Sequence, residues 1–526
     1  MLPSAAEKGG FMKKKAISML LVMVMLVSLL AGCGSKAGDK TPGAESGKTE
    51  GNATGGKDTS KGVDTSKEVE LVLYVISNEP AGQATVNENF NKLLKEKMNT
   101  TLKINWIGWA EYANKYPLLF SSGEEFDMAY TATWLNFASL AKKGAFMNLD
   151  ELWPTYAPKN YAMQSDTAKQ QATVDGSYYC VPTLLATYSA YGAMYRTDIM
   201  EGTGWDGKME TFEDMEKYLD LVAASGKGIE PLDIYSSGSE MDDIWMYNHG
   251  QYAIKGSTND FLFIDPSQEN PKLYTYYEYD KTKDFLTMMN RWNQKGFFSK
   301  SALADTDSDK LKNGKTALKI HNVDTYGSIA IEKPQYGLKF ANYVSDVSNM
   351  SFTQDAMVIS NTSKNPERAL AFWDLLTTDQ EVFDAFFYGI LGESYELNDQ
   401  GQVKMINTDK YAAAAMWAAR TTELNRDSAG LPAEVPEMKK EWDAHIKDGV
   451  GSQKFRSFVI DTSSIETEYS ACISVHQQYW WPLELGYTDM EKGLAEYKEK
   501  MEAAGIEKVR QVIQEQLDAY LAGLTK

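Results

Sequence analysis

The chain has 526 residues, with 73 acidic against 53 basic side chains and a net charge of −20. Such acidity excludes a nucleic-acid binder, which needs basic patches to displace counterions. The length is more than one domain ordinarily uses and suits two, and 30 Tyr with 12 Trp are many for a simple core, which points to aromatics at a binding surface.

Met12 is followed by Lys13, Lys14 and Lys15, and then by AISMLLVMVMLVSLL. A cationic start, a short apolar core and small residues make a bacterial export signal. The apolar run is about 15 residues, short of the roughly 20 that a membrane span needs. Residues 1–11 fit no part of such a signal, so Met12 is the expected initiator. LAGC at Leu30–Cys33 resembles the lipobox of bacterial lipoproteins. That resemblance implies removal of residues 1–32, a diacylglyceryl group on the Cys33 sulfur, and an acyl chain such as palmitate on the new amino terminus. Two acyl chains anchor a protein stably where one does not.

Residues 33–68 are then the lipidated cysteine and a tether of Gly, Ser, Thr, Lys and Asp, with almost nothing to bury. Such a segment cannot offset its ordering entropy, and as a coil it reaches on the order of 30 Å. Loss of residues 1–32 removes four lysines and one glutamate, which deepens the negative charge and keeps a tethered protein soluble beside an anionic membrane. Cys180 and Cys472 remain; they could pair or stay free, and free thiols are favoured.

From residue 69 the pattern is strand (69–77), helix (86–99, with Phe90, Leu93, Leu94 and Met98 on one face), strand (101–109), strand (126–132) and helix (134–144, stopped at Gly144). Alternation of this kind predicts parallel α/β units. Ligands of open α/β sheets bind beyond the carboxyl ends of the strands, here Asn78–Gly82 and Thr131–Asn136. Residues 176–200 read as a crossing, broken at Pro182, with a new strand at Tyr191–Tyr195. Helices are predicted near 211–224, 239–249 and 281–295, an extended run at 315–326, a strand at 355–360 and a helix at 365–378 opened by Pro366. Residues 407–449 read as mostly helical, and the tail as helical with a break near Gly505. No internal repeat is present.

Several stretches resemble the extracellular solute-binding proteins of ATP-driven importers, the class that contains maltose-binding protein. They are SGEEFDMAYTATWLNFASLAKKGAFMNLDEL (122–152), VDGSYYCVPTLLATYSAYGAMYRTDIM (174–200), NGKTALKIHNVDTYGSI (313–329) and VISNTSKNPERALAFWDLL (358–376). YGILGESYEL (388–397), residues 456–475 and residues 497–521 resemble a Gram-positive lipoprotein subfamily whose C-terminal domain has no assigned function. Leu391 and Glu393 stand where that subfamily tends to have Glu and Lys.

The resemblance implies a two-lobe, periplasmic-binding-protein-like (type II) α/β fold. Each lobe is expected to be a mostly parallel sheet flanked by helices. Lobe 1 is expected at 69–183 and 323–378, and lobe 2 at 184–322 and 379–526 with a C-terminal helical extension. It further implies a monomer on the outer face of the cell membrane of a Gram-positive bacterium. That monomer binds solute between closing lobes and delivers it to ABC permease subunits, with no bond made or broken. A ligand touching both lobes biases closure by its extra affinity for the closed state.

Residues 305–316 start like a calcium loop, with Asp305, Asp307 and Asp309 at positions 1, 3 and 5. Lys310 replaces the glycine and Thr316 the glutamate, so turn and bidentate ligand are both missing. The four histidines are scattered without H-E-x-x-H, and there is no G-x-S-x-G, P-loop or dinucleotide turn. Neither a metal, a cofactor nor a catalytic residue is expected.

The expected ligand is a sugar or oligosaccharide, held by aromatic faces against pyranose C–H groups and by acids and amides on hydroxyls. Candidate contacts are Trp134 and Asn136 past a strand end, and Tyr188 and Tyr191 at the first crossing. Asn322, Asp324 and Tyr326 follow the return strand. Trp245, Trp417 beside Arg420, and the doublet Trp480–Trp481 complete the set. An extended doublet cannot send both rings into one core, so one is expected at the cleft. A peptide or other polar solute, a surface carbohydrate-active enzyme (two carboxylates across a cleft suffice) and a signalling lipoprotein are the alternative readings.

Overall fold

The structure is a computed structural model. It describes residues 62–109, 111–236, 238–254, 261–408, 410–411 and 416–524. The expected signal, the lipidated Cys33 and nearly all of the tether lie outside the described residues.

Strand β1 (Val69–Ile76) buries Leu71, Leu73 and Val75, the every-other-residue pattern of a pleated strand. Helix α1 (Gln83–Met98) covers the sheet with Val86, Phe90, Leu94 and Met98, spaced one turn apart on a single stripe. It ends where Asn99 turns left-handed, with Lys95 and Lys97 in the last turn, where cations complement the exposed carbonyls. Strand β2 (Thr100–Ile107), helix α2 (Tyr112–Ser121), strand β3 (Met128–Thr131) and helix α3 (Phe137–Lys142) follow. The short strand β4 (Val181–Pro182) closes the first pass.

The second lobe opens with β5 (Tyr191–Tyr195), followed by α4 (Phe212–Ala224), β6 (Glu230–Leu232), α5 (Met241–Asn248) and α6 (Thr282–Lys295). Its sheet is completed by β7 (Thr316–Asn322) and, after helix α7 (Val323–Glu332), by β8 (Lys339–Asn342). The chain then returns to the first sheet as β9 (Ala356–Ile359), with helices α8 (Pro366–Leu376) and α9 (Gln380–Phe387) behind it.

Two larger sheets result, in the orders β2-β1-β3-β9-β4 and β8-β5-β7-β6. In the first, β1 is parallel to β2 and β3 while β9 is antiparallel. The second departs further from the expected parallel pattern, because β5 runs antiparallel to both β7 and β8. Gly192 in β5 lets the β8 backbone approach; a Cβ there would sit 1.9 Å from the Ala341 carbonyl oxygen.

Each sheet has its own hydrophobic core, one from Leu71 to Ala419 and one from Ala193 to Leu517. Residues 183–190 and 343–355 link the lobes side by side. Thr183 N–H donates to Asp355 O (2.9 Å), Ser189 N–H to Ser348 O (2.8 Å) and Met350 N–H to Thr187 O (2.9 Å).

The lobe boundaries therefore differ from the expected ones. Residues 323–342 belong to lobe 2, because β8 pairs with β5 and α7 packs on Met194 and Leu338. Residues from α9 to Ala419 belong to lobe 1, since Val382, Phe383 and Met416 share its core. The chain returns one helix and one strand later than residue 322, and that extra pair completes the second sheet.

Residues 407–449 are also less helical than expected. Among the described ones, α10 (Glu434–His445) is the α-helix, preceded by a single 3-10 turn at Trp417–Ala419. The C-terminal part is helical as expected: α11 (Glu466–Val475), a π-turn at His476–Trp480, a short helix Trp481–Glu484, α12 (Met490–Ala504) and α13 (Ile506–Leu524). Gly505, left-handed with φ 94°, breaks the last two.

Candidate functional site

The parallel strands β1, β2 and β3 end at one edge of lobe 1. Just beyond β2 stands Trp109, 37% exposed. Just beyond β3, a single turn at Thr133–Leu135 places Trp134 and ends in a left-handed Asn136, whose side chain is exposed. The Trp109 ring stacks near Trp134 (centroids 6.3 Å apart, planes at 29°) and Trp417 (5.8 Å, 30°). Tyr112 stands edge-on to Trp109 and Trp134 at 5.8 and 5.7 Å. Three indoles thus form one shelf at the strand ends.

Below the shelf, Tyr130 touches Trp134 and Trp417 (6.1 and 6.0 Å). Its hydroxyl donates to Asp355 Oδ1 at 2.7 Å, and Arg420 Nη2 donates to Asp355 Oδ2 at 2.9 Å. Burial, with the Asp355 charge, pushes the Tyr130 phenol well up, so it remains a donor. Arg420 Nε also donates to the Trp417 carbonyl at 3.2 Å. Arg420 therefore locks the turn that carries Trp417.

In lobe 2, β6 and β7 end, and β5 begins, at the edge facing this shelf. Tyr191 and His321 stack there at 6.0 Å with planes at 18°. His321 Nδ1 accepts from Asn322 N–H at 2.9 Å, so the ring proton sits on Nε2. Burial holds its pKa below the ordinary value, which keeps the ring neutral at pH 7. The stretch after β6 adds Tyr235, with Lys319 Nζ 4.8 Å from its ring centre, and Glu240. Burial and the charges of Glu240 and Asp233 raise the Tyr235 phenol, and Tyr112 of the facing lobe and Tyr191 also act on it electrostatically. A cavity lies at the crossings between Thr133 and Gln354 of lobe 1 and Tyr191, Tyr247, Gln251 and Phe455 of lobe 2.

Of the sequence-derived candidates, the structure brings Trp134, Trp417 and Arg420 together in one wall and sets Tyr191 in the other. Tyr188 lies elsewhere, against Trp442 (5.4 Å), with its hydroxyl donating to Asp443 at 2.8 Å. Asn322 is the last residue of β7, and Asp324 and Tyr326 do not extend the strand, because Asn322 caps α7 by accepting from Thr325 N–H. Asp324 then pairs with Lys439 at 2.8 Å. Tyr326 is fully buried, donating to Glu434 at 2.7 Å.

Trp245 packs between Phe212 (5.0 Å) and Phe285 (5.6 Å) at the lobe 2 core. The Trp480–Trp481 doublet is helical, not extended. Trp480 is buried with its Nε1 on Asp242 (2.8 Å), and Trp481 is half-buried against Gly238. In the calcium-like loop, lysines stand beside the acids: Lys310 is 3.2 Å from Asp305 and Lys315 2.7 Å from Asp307.

Sequence reasoning missed Trp109, Tyr112, Tyr130, Asp355, Tyr235, Glu240 and His321. Trp109 carried a usable signal, since it closes INWIGW just past a strand, as Trp134 does past the next. The others are assembled by tertiary contacts alone.

Residues 77–382 match the family described as bacterial extracellular solute-binding protein, and residues 454–522 match a domain of unknown function (DUF3502). A carbohydrate ABC transporter substrate-binding protein of Streptococcus pneumoniae serotype 4 is 23% identical over 492 residues, covering 90% of this chain and 94% of its own. The solved N-glycan transport solute-binding protein NgtS of S. pneumoniae, in complex with Man5GlcNAc, superposes with a TM-score of 0.73 at 22% identity, over 87% of this chain and 99% of that one. The alginate-binding protein AlgQ2 superposes with a TM-score of 0.62 at 14% identity, over 86% of this chain and 98% of that one. Two sheets joined by paired crossings, with a cleft at the strand ends and a family match across more than half its length, show that this chain belongs to the bacterial extracellular solute-binding proteins.

Proposed function

We propose that this protein is the saccharide-binding component of an ABC importer, tethered outside the cell membrane through a lipidated Cys33. It takes an oligosaccharide between its lobes and passes it unaltered to the permease. The observation that carries this reading is the shelf formed by Trp109, Trp134 and Trp417. Flat indole faces complement the C–H faces of sugar rings, and several rings in a row suit a ligand longer than one sugar. Opposite stand Tyr191, Tyr235, Glu240 and His321, groups that donate to or accept from hydroxyls. The printed names of the S. pneumoniae relatives, a carbohydrate transporter component and a protein complexed with Man5GlcNAc, support the same class.

The test is a melting screen of the mature chain against maltotriose, mannotriose, kestose and chitotriose, with a tripeptide pool as control. A binding protein gains stability with its ligand by mass action, about 2.7 kcal/mol at a hundredfold excess over Kd. The ligand is recovered intact afterwards. Stabilisation by peptides alone, or cleavage of the saccharide, overturns the reading. Cys33→Ser is expected to release the protein from membranes or to strand it with its export segment uncut, and to leave its saccharide affinity unchanged.

A further inference from the structure

The C-terminal domain of unknown function lines the crossing cavity with Phe455 and makes a second contact beside the cleft. That second contact runs through residues 238–240, which follow Tyr235 in lobe 2. Gly238 has φ 102°, which a side chain would strain, and its N–H donates to Tyr235 O at 3.0 Å. The indole of Trp481 lies 3.5 Å from where a Gly238 Cβ would be. The next residue, Ser239, is buried; its hydroxyl donates to Glu484 Oε1 and accepts from Met241 N–H at 3.0 Å. One turn on, Asp242 accepts from Trp480 Nε1 at 2.8 Å. Trp480 is itself fixed by a stack on Tyr276 at 4.2 Å.

Between these anchored residues stands Glu240, in the left-handed region at φ 54°. A glutamate there is strained by about 1–3 kcal/mol and persists only where its surroundings over-determine it. Its Oε2 is buried and has no hydrogen-bond partner among the described residues, while its charge acts on both Tyr235 and His321 at the lobe 2 edge of the cleft. A buried carboxylate oxygen without a donor is costly, and a ligand hydroxyl would relieve it.

We propose that the C-terminal domain is the positioning element of the cleft, its Glu484, Trp480 and Trp481 holding residues 238–240 so that the Glu240 carboxylate accepts hydrogen bonds from ligand hydroxyls. The hydroxyl-acceptor half rests on the saccharide reading above; the positioning half does not. Glu484 and the two tryptophans act through the loop and do not touch ligand.

Hydrogen exchange of the ligand-free chain tests the positioning. In Ser239→Ala and in Glu484→Leu, amides of residues 238–241 are expected to exchange about tenfold faster, with the strands of lobe 2 unchanged. Glu484→Gln, which keeps an acceptor for Ser239, is expected to stay within about twofold of wild type. This rescue separates positioning from mere packing. Ser239→Ala alone decides if Glu484→Leu does not fold. Wild-type exchange in Ser239→Ala, or equal acceleration in Glu484→Gln and Glu484→Leu, overturns the positioning role.

Calorimetry with the trisaccharides above tests the acceptor. Glu240→Gln is expected to weaken the bound one about tenfold, the loss on replacing a charged acceptor by a neutral one. Unchanged affinity overturns the acceptor role. A wild-type chain that binds none of them overturns the saccharide reading and the acceptor role together, while exchange still decides the positioning role.

Discussion

The indole of Trp417 lies 5.8 Å from that of Trp109, their planes at 30°, although one follows β2 and the other belongs to the segment after α9. The shelf is therefore built from two distant parts of the chain, and each ring orders the other. Because Trp109 is 37% exposed, truncating it costs little core, and on the proposed function it removes a ligand contact. Trp109→Ala is expected to weaken saccharide binding about tenfold or more, near 1.4 kcal/mol, and to leave Tm within a few degrees. Titration calorimetry beside a melting curve separates the two effects.

Asp355 is shared by the Tyr130 hydroxyl and the Arg420 guanidinium. Arg420→Ala strands a mostly buried carboxylate, a change that costs on the order of 3 kcal/mol. It also frees the turn that carries Trp417. Denaturant unfolding is expected to show that loss, and Arg420→Ala with Asp355→Asn together should be less destabilised than Arg420→Ala alone. Equal stability of the two variants would argue that the pair is not coupled.

Two buried groups set opposite pH slopes in lobe 2. His476 is held neutral, its pKa pushed by burial from 6.5 to about 3. It binds fewer protons folded than unfolded between those values, so stability falls as pH drops from 6.5 towards 3. Glu484 is pushed well above 4.5, first by burial and then by Asp242. It holds its proton when folded and loses it when unfolded, so stability falls as pH rises above 4.5 until the folded value is passed. Just above 4.5 the two slopes oppose each other. Glu484→Gln is expected to flatten the Glu484 limb and keep the His476 one, as read from urea midpoints across pH.

Cys180 and Cys472 are both free and buried, one in each lobe's core. Burial pushes the Cys180 thiol well up and the Cys472 thiol to about 12. Since the thiolate is the reactive form, neither is expected to label in the native protein at pH 8. Two equivalents should react in step with unfolding in guanidinium. Fast labelling of either thiol in native buffer would contradict this packing.

Local pattern made most of lobe 1 legible. The alternation in VELVLYVI and the one-turn spacing of Phe90, Leu94 and Met98 state which faces are buried, because strand and helix periods follow from backbone geometry alone. The place of Trp134 just past a strand end was legible for the same reason, since the end of a strand can be read from its period. Tyr326 was not. Its strand period looked continuous, but Asn322 accepts from Thr325 N–H and starts a helix that turns the tyrosine inward. A cap outweighs a short period-two pattern because it satisfies amides that would otherwise be orphaned.

The linear order of residues thus determined the apolar run after Lys15, the polar composition of residues 34–67, the α/β class and where the strands of lobe 1 end. All of these depend on neighbours within a few residues. Which tryptophans share a shelf, which lobe owns residues 323–342, and how the C-terminal domain grips residues 238–240 were decided only by tertiary packing. Trp417 on Trp109, β8 on β5 and Glu484 on Ser239 join positions far apart in sequence. Their contact energy appears only after the chain entropy between them has been overcome.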